Sequence, residues 1–326
     1  MPNILKVAFG VAGNKVRVPR IGYGTAPLSS AYDPANDEES VKALNRAIDL
    51  GCTFWDTADM YGIGHNERLL SRVLKERRAE VFLCSKFGIT MREPQPGEKG
   101  NFNDFETGIN GRPDYMRKCI EGSLERLGVD CIDLYYLHRV DKDVPVEETV
   151  AAMAELVREG KVRYLGLSNC SADDLRRANK VYPIAAVQVA YSAWVIDIET
   201  NGVLDACREL GVTVVAHTPL GRGFLTGQVR NAASFSEHDC RRKIPCFEPG
   251  NIENNLKLVD AFESMAKKRS CTPGQLALAW LLAQENNLIV IPGTRRIKCL
   301  EENFAAGQVS LSAGELKELR RHVDGF

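Results

Sequence analysis

Within Thr53-Phe54-Trp55-Asp56-Thr57-Ala58-Asp59-Met60-Tyr61 an apolar run ends on a carboxylate, and a phenol follows five residues later. Two more apolar runs end on titratable groups: Val81 to Ser85 leads to Lys86, and Ile132 to Leu137 leads to His138. Singly, each side chain has a plain structural use: a cap for Asp56, packing for Tyr61, solvation for Lys86, a buried hydrogen bond for His138. Together they make a proton donor. A free tyrosine has a pKa of about 10, too weak an acid to protonate a carbonyl at neutral pH unless a cation stabilises its phenolate. Lys86 is that cation, Asp56 can hold its ammonium, and a neutral His138 can donate a hydrogen bond to a substrate oxygen as negative charge develops there. The set suits carbonyl reduction. None of the four can deliver a hydride, so a nicotinamide cofactor is required beside them.

The usual dinucleotide fingerprint is missing. Gly22-Tyr23-Gly24-Thr25-Ala26-Pro27 lacks the third glycine and Gly221-Arg222-Gly223-Phe224-Leu225-Thr226-Gly227 has the wrong spacing, so a Rossmann site is not expected. Other segments offer cofactor contacts instead: Gly24, Thr25 and Ala26 at the end of one strand, Ser168 and Asn169 at the end of another, Gln188 at a third, and Thr218-Pro219-Leu220-Gly221-Arg222-Gly223, where backbone can approach closely beside a cation. Ile291-Pro292-Gly293-Thr294-Arg295-Arg296 opens a helical pattern whose N-terminus and guanidinium groups form an anion site suited to a ribose phosphate, a solvated basic helix start being the bland alternative.

Bringing these groups together requires strands that end on one side. Apolar runs near 21–25, 53–56, 81–86, 132–138, 162–168, 185–189, 212–216 and 288–291, with helical patterns between most of them, make eight strands and predict an α/β fold, a (β/α)8 TIM barrel. Parallel strands joined by helices place their carboxyl ends on one rim, so Asp56, Lys86, His138, Ser168, Gln188, His217 and Pro292 are expected at a common mouth. Val7 to Val18, around Gly10, Gly13 and Asn14, predicts an N-terminal β-hairpin closing the bottom. Asp37-Glu38-Glu39 opens an amphipathic helix that turns Val41, Leu44, Ala47 and Ile48 inward and stops at Gly51. Two rim connections are long, Phe87 to Arg112 and Leu220 to Ile252, as expected of loops that cover a ligand. Length alone suggests about two domains, but the even alternation predicts a single domain over 1–326.

With 42 basic and 43 acidic residues and a formal charge of -1, the chain carries no sign of a nucleic-acid arm or a polybasic membrane patch. The N-terminus lacks a long apolar run, and no apolar stretch approaches the roughly 20 residues a bilayer span needs. A small-molecule partner, no nucleic acid, no membrane, a cytoplasmic location and a monomer or weak homo-oligomer are the expectations. The 10 cysteines are scattered, with Cys52, Cys84, Cys131 and Cys207 in apolar runs as reduced core thiols. Cys240 and Cys246 are the closest pair and could bridge in an oxidising setting, and no spacing proposes a metal site.

Asp56-Thr57-Ala58 with Tyr61-Gly62, Ser85-Lys86, Leu134-Tyr135-Tyr136-Leu137-His138, Gly166-Leu167-Ser168-Asn169, Pro219-Leu220-Gly221-Arg222-Gly223 and Ile291-Pro292-Gly293-Thr294 with Glu302-Asn303 resemble, in order and position, the motifs of aldo-keto reductases. The resemblance covers nearly the whole chain. It implies a TIM barrel that binds NADP(H) across its rim and reduces aldehydes or ketones, with Asp56, Tyr61, Lys86 and His138 as the catalytic tetrad and Tyr61 as the acid. It further implies that Ser168, Asn169 and Gln188 hold the nicotinamide carboxamide. Thr218 to Gly223, with an arginine of the Arg241-Arg242 pair assigned to Arg242, would clasp the pyrophosphate, and Arg295, Glu302 and Asn303 would face the adenosine. The Gly221 to Gly227 run and the short tail ending at Phe326 are most similar to the microbial and plant reductases of the perakine and pyridoxal reductase type.

Three residues depart from that pattern. His217 stands where the family stacks an aromatic ring on the nicotinamide; it is expected to stack while holding the oxidised ring more weakly, and imidazole titrates. Cys299 stands where many members place arginine or glutamine near the 2′-phosphate, so NADPH preference would rest on the cluster Arg295, Arg296 and Lys298. Cys246 stands where the related branch carries arginine. The resemblance also leaves a second reading: an NADP(H)-binding, redox-sensing subunit like the channel-associated β subunits, with little turnover. Candidate pocket walls are Trp55, Met60, Phe87, Arg139 and Trp194, together with side chains from the 87–112 loop, with Arg139 expected either to pair with Asp141 or to attract a polar or anionic substrate group.

Overall fold

The computed structural model describes residues 4–29, 36–93, 102–231, 233, 235 and 239–325. Strands β1 (Lys6–Val11) and β2 (Asn14–Pro19) form the N-terminal hairpin, with Val11 opposite Asn14 at its tip. Eight further strands then run in parallel: β3 (Tyr23–Gly24), β4 (Phe54–Asp56), β5 (Phe82–Phe87), β8 (Ile132–Leu137), β9 (Val162–Ser168), β10 (Ile184–Ala190), β11 (Thr213–His217) and β12 (Leu288–Val290), in that spatial order. Single parallel bridges from Ile21 to Val290 and from Gly24 to Gly293 join the last strand to the first and close the ring. At this seam, Gly22 N donates to Val290 O at 2.8 Å and Val290 N to Arg20 O at 2.9 Å. A Cβ on Gly24 would stand 2.7 Å from the Ile291 carbonyl oxygen. Gly22 and Gly24 therefore serve close backbone approach at the barrel seam rather than a phosphate loop.

The expected barrel and its strands are present, each strand within a few residues of its predicted span. Helix α1 (Asp37–Leu50) starts behind Asn36, whose side chain accepts from Glu39 N, and ends where Gly51 takes a φ of 86°. The remaining helices are α2 (His65–Arg77), α3 (Pro113–Leu127), α4 (Val146–Arg158), α5 (Ala172–Val181), α6 (Val203–Leu210), α7 (Pro249–Lys268), α8 (Pro273–Leu282), α9 (Ile297–Ala305) and α10 (Ala313–Val323). The described part of the first long loop is a short hairpin, β6 (Ile89–Met91) with β7 (Glu106–Ile109); residues 94–101 of that loop lie outside the described residues. The second is built from 3-10 turns at Gly221–Thr226, Cys240–Lys243 and Pro245–Phe247. It ends sooner than expected, because α7 begins at Pro249, a residue preset for the first helical turn. Cys246 carries a free thiol, and the side chain of Cys240 lies outside the described residues.

Strand alternation sorts the side chains into two shells. Trp55, Leu83, Phe87, Tyr135, Leu137, Leu165, Val187 and Val214 join the helices in the outer core. Facing inward at the lower level, Phe54, Phe82, Leu134, Tyr164, Val215 and Ile289 form an apolar layer with Phe9 of the hairpin. Phe9 meets Phe82 edge-on at 5.0 Å and Tyr164 at 5.6 Å, so the hairpin plugs the bottom as expected. One or two steps nearer the rim on the same inward faces come Asp56, Lys86, His138, Ser168, Gln188 and His217.

Between these layers lies Tyr136, whose ring stands 5.9 Å from the Lys86 ammonium. It occupies the room left by Gly166, where a Cβ would lie 2.4 Å from Tyr136 Cδ1 and 3.1 Å from the Ala186 carbonyl oxygen. Gly166→Ala is expected to destabilise the fold by about 1–3 kcal/mol through overpacking. Chemical denaturation measures this, and a midpoint equal to that of the parent chain would show that the ring yields freely.

Candidate active site

The ammonium of Lys86 is the centre of the site. The side chain is completely buried, as is the Asp56 carboxylate that accepts from it through Oδ1. Lys86 Nζ also donates to the Thr57 carbonyl at 2.8 Å and to the Tyr61 hydroxyl at 3.4 Å. The other carboxylate oxygen of Asp56 accepts from Gln188 Nε2 at 2.7 Å. Burial pulls the Lys86 ammonium down, but the Asp56 carboxylate and the Tyr61 phenol outweigh it and hold the group above its ordinary range. The lysine therefore stays charged at neutral pH with the phenol beside it.

His138 meets Tyr61 edge-on, with ring centroids 6.1 Å apart, and its backbone is tied to Phe87 O at 2.8 Å. Burial, then the charge of Lys86 and the nearby His217 and Arg139, drives its pKa well below the usual histidine value, so the ring is neutral. Its Nδ1 is buried without a hydrogen-bond partner among the described residues. Asp59, close to Tyr61 in sequence, lies instead among Glu67 and the α3 groups Cys119 and Arg126, where burial and then Glu67 push its carboxyl up to about 8.

Around this cluster opens a cleft of about 700 Å³. Its lining includes Asp56, Tyr61 and His138, with Lys86 below the floor. Of the residues expected to touch cofactor, Gly24, Thr25, Ala26, Ser168, Asn169, Gln188, His217, Thr218, Pro219, Leu220, Arg222, Gly223, Gly293, Thr294, Arg295, Glu302 and Asn303 also line it. Gly221 and Arg242 do not. Gly221 packs against Trp194, where a Cβ would stand 2.7 Å from the indole, while Arg242 turns back to donate to Phe235 O. The arginine at the cleft is Arg241, steered there by Asp239 and by a 3.0 Å bond to Arg222 O. Adjacent positions in a 3-10 turn face different ways, which is why the pair could not be resolved from its order alone. Asn169, Thr218 and Arg222, all at the cleft, hold φ values of 50°, 51° and 55°. Non-glycine residues rarely adopt this region, and such strain gathers where a site is shaped for a ligand.

Two further expectations change. Trp55 and Phe87 lie in the outer core, and Trp194 stacks on Phe224 at 4.4 Å, so of the candidate walls only Met60 and Arg139 reach the cleft. Arg139 pairs with Glu106 of β7 at 2.7 Å, whereas Asp141 accepts from the backbone of Gly111 and Asp143. Glu106 and Ile89 reach the cleft from the 87–112 loop expected to supply wall residues, through a hairpin within a segment that reads as loop in the sequence. Sequence reading missed Asn66, whose buried carboxamide carries no signal in the sequence beyond a helix start.

A family model described as Aldo/keto reductase family matches residues 20–324. The chain is 48% identical over 311 residues to an aldo-keto reductase of Schizosaccharomyces pombe named with NADP(+), covering 94% of this chain and 89% of that one. It is 49% identical over 314 residues to aldo-keto reductase str7 of Strobilurus tenacellus, covering 93% and 88%. Among solved structures, a glycerol dehydrogenase of Gluconobacter oxydans superposes with a TM-score of 0.87 at 28% identity over 98% of this chain and 95% of that one. An aldo/keto reductase of Klebsiella pneumoniae in complex with NADP and acetate does so with 0.74 at 28% identity over 97% and 95%. The chain belongs to the aldo/keto reductase family, a family of oxidoreductases.

His217 lines the cleft as expected, with Nδ1 3.3 Å from the Thr218 hydroxyl, but it does not titrate near neutrality. Burial, then the charges of Lys86 and Arg222, depress its pKa to about 3. An unfolded histidine titrates near 6.5, so the unfolded chain binds this proton first and stability is lost as pH falls from there toward about 3. His217→Tyr is expected to flatten part of that acid-side loss in denaturation midpoints measured across this window. An unchanged pH slope would mean that the imidazole is already charged in the fold.

Proposed function

We propose that this chain reduces the carbonyl of an aldehyde or ketone to an alcohol, using NADPH, with Tyr61 as proton donor. The observation that carries the reading is the buried Lys86 ammonium, held by Asp56 and the Thr57 carbonyl at 3.4 Å from the Tyr61 hydroxyl. The cleft fits a dinucleotide: polar Ser168, Asn169 and Gln188 stand at its inner end and Arg222, Arg241, Arg295 and Arg296 also line it. Phosphates suit such a guanidinium cluster. In that fit Ser168, Asn169 and Gln188 bind the carboxamide, Thr218 to Gly223 with Arg241 bind the pyrophosphate, and Arg295, Glu302 and Asn303 bind the adenosine end. The relative named with NADP(+) and the NADP-bound Klebsiella pneumoniae structure support this choice. NADPH supplies the hydride when bound.

The residues of the chain manage the proton and the charge. Neutral His138 offers a hydrogen bond to the substrate oxygen and fixes its position while negative charge grows there. Tyr61 gives its hydroxyl proton to that oxygen, and the adjacent ammonium stabilises the phenolate left behind. Asp56 and Gln188 keep the ammonium from drifting. Met60 and Ile89 form an apolar wall beside Tyr61, joined by the Arg139–Glu106 pair on the lining, and exclude water from the reacting atoms. The match over residues 20–324 supports one domain spanning the chain.

Tyr61→Phe is expected to lower aldehyde-dependent NADPH oxidation by about 100-fold or more. NADPH affinity, followed by fluorescence quenching, should stay close to that of the parent. A parent chain that binds NADPH tightly yet oxidises it with no member of an aldehyde and ketone panel would sink the reductase reading and favour a cofactor-holding subunit.

A further inference from the structure

We infer that Asn66 is a positioning residue that sets the place of the Lys86–Tyr61 pair by clamping together the loops that leave β3 and β4. Its consequence for turnover rests on the reading of Tyr61 as the acid. The carboxamide is fully buried on the first turn of α2, with partners within hydrogen-bond distance of both its nitrogen and its oxygen. Asn66 Nδ2 donates to the Thr25 carbonyl at 2.9 Å and to the Ser29 hydroxyl at 2.8 Å. Its Oδ1 lies 2.7 Å from the hydroxyls of both Thr25 and Thr57. The Thr25 hydroxyl is also 2.7 Å from the Asp56 carbonyl. Asn66 therefore ties the residue after β3 to Thr57 directly and, through Thr25, to Asp56, the two residues that hold the Lys86 ammonium.

The same residue reaches the acid through its backbone, since Asn66 N donates to Tyr61 O at 3.1 Å. Outside the clamp, Ser29 is braced by His65, with Oγ 2.8 Å from Nδ1, and His65 in turn faces Asp37 through Nε2 at 3.2 Å. This Ser29–His65–Asp37 row has the residue types of a hydrolytic triad, but Ser29 is buried and its hydroxyl already accepts from Asn66, so the row serves as a brace. Without the clamp the Thr57 carbonyl is free to turn away from Lys86, and the ammonium loses the only backbone acceptor it has among the described residues. A buried amide bonded through both its nitrogen and its oxygen favours one arrangement, which suits a distance that must not vary.

The test follows the phenol directly, with tyrosine labelled at 13Cζ and the Tyr61 resonance assigned by its loss in Tyr61→Phe. Asn66→Ala is expected to move the Tyr61 titration upward by about one pH unit as the ammonium drifts. Reduction kcat should fall by about tenfold to 100-fold, with KM little changed. Thr57→Val keeps the side-chain shape and removes only the proton reaching Asn66, so it should shift the titration the same way by less, and it decides the question alone if Asn66→Ala does not fold. A Tyr61 titration identical to the parent's in the folded variants overturns the inference, even if their melting temperatures drop. The titration needs neither cofactor nor substrate, so its outcome is separate from whether the parent chain turns over a carbonyl.

Discussion

A buried ammonium is the constraint on which this structure turns. Taking a lysine charge out of water costs several kcal/mol unless a partner and further hydrogen bonds receive it. Here Asp56, the Thr57 carbonyl and the Tyr61 hydroxyl do so, and Gln188 satisfies the far oxygen of the carboxylate. These groups come from β4, the loop after it, β5 and β10, so the charge is tolerable only when the barrel has closed around it. Stability of the fold and the placing of the ammonium beside the Tyr61 phenol thus draw on the same contacts.

The barrel meets this constraint by separating its interior into levels. Phe9, Phe54, Phe82, Tyr164 and Val215 fill the bottom, and a closely packed aromatic plug lets the polar level above exist without water beneath it. Gly166 and Tyr136 mark the boundary, with the tyrosine ring under the ammonium contributing a π face at 5.9 Å. Low dielectric on that side strengthens the ion pair and also keeps both cleft histidines neutral. His217 therefore behaves as an uncharged ring at the cleft, although histidine as a residue type suggests a switch.

At the rim the demands reverse, because a ligand must be met by backbone as well as by side chains. Thr218, Arg222 and Asn169 accept left-handed conformations there, and neighbouring elements hold them in place. Arg296 donates to Gln228 at 3.1 Å, so the segment before α9 and the long loop after β11 touch at the cleft. The arginines along the cleft, Arg222, Arg241, Arg295 and Arg296, come from both of these segments, a distribution that suits a long anionic ligand better than a single phosphate.

The chain's own order determined a great deal. Short apolar runs ending at Asp56, Lys86, His138, Ser168, Gln188 and His217 are enough to place those residues at strand ends on one rim, since parallel connection through helices is a local rule. Helix α1 was equally readable from its acidic start and terminal glycine. Tertiary structure alone decided the rest. Whether Arg241 or Arg242 reaches the cleft depends on Asp239 and the turn that carries them, and Arg139 finds Glu106 because β7 folds back 33 residues earlier in the chain. Asn66 earns its place only when Thr25, Ser29 and Thr57 close around it. Such contacts depend on side-chain direction across distant segments, and linear spacing holds no record of that.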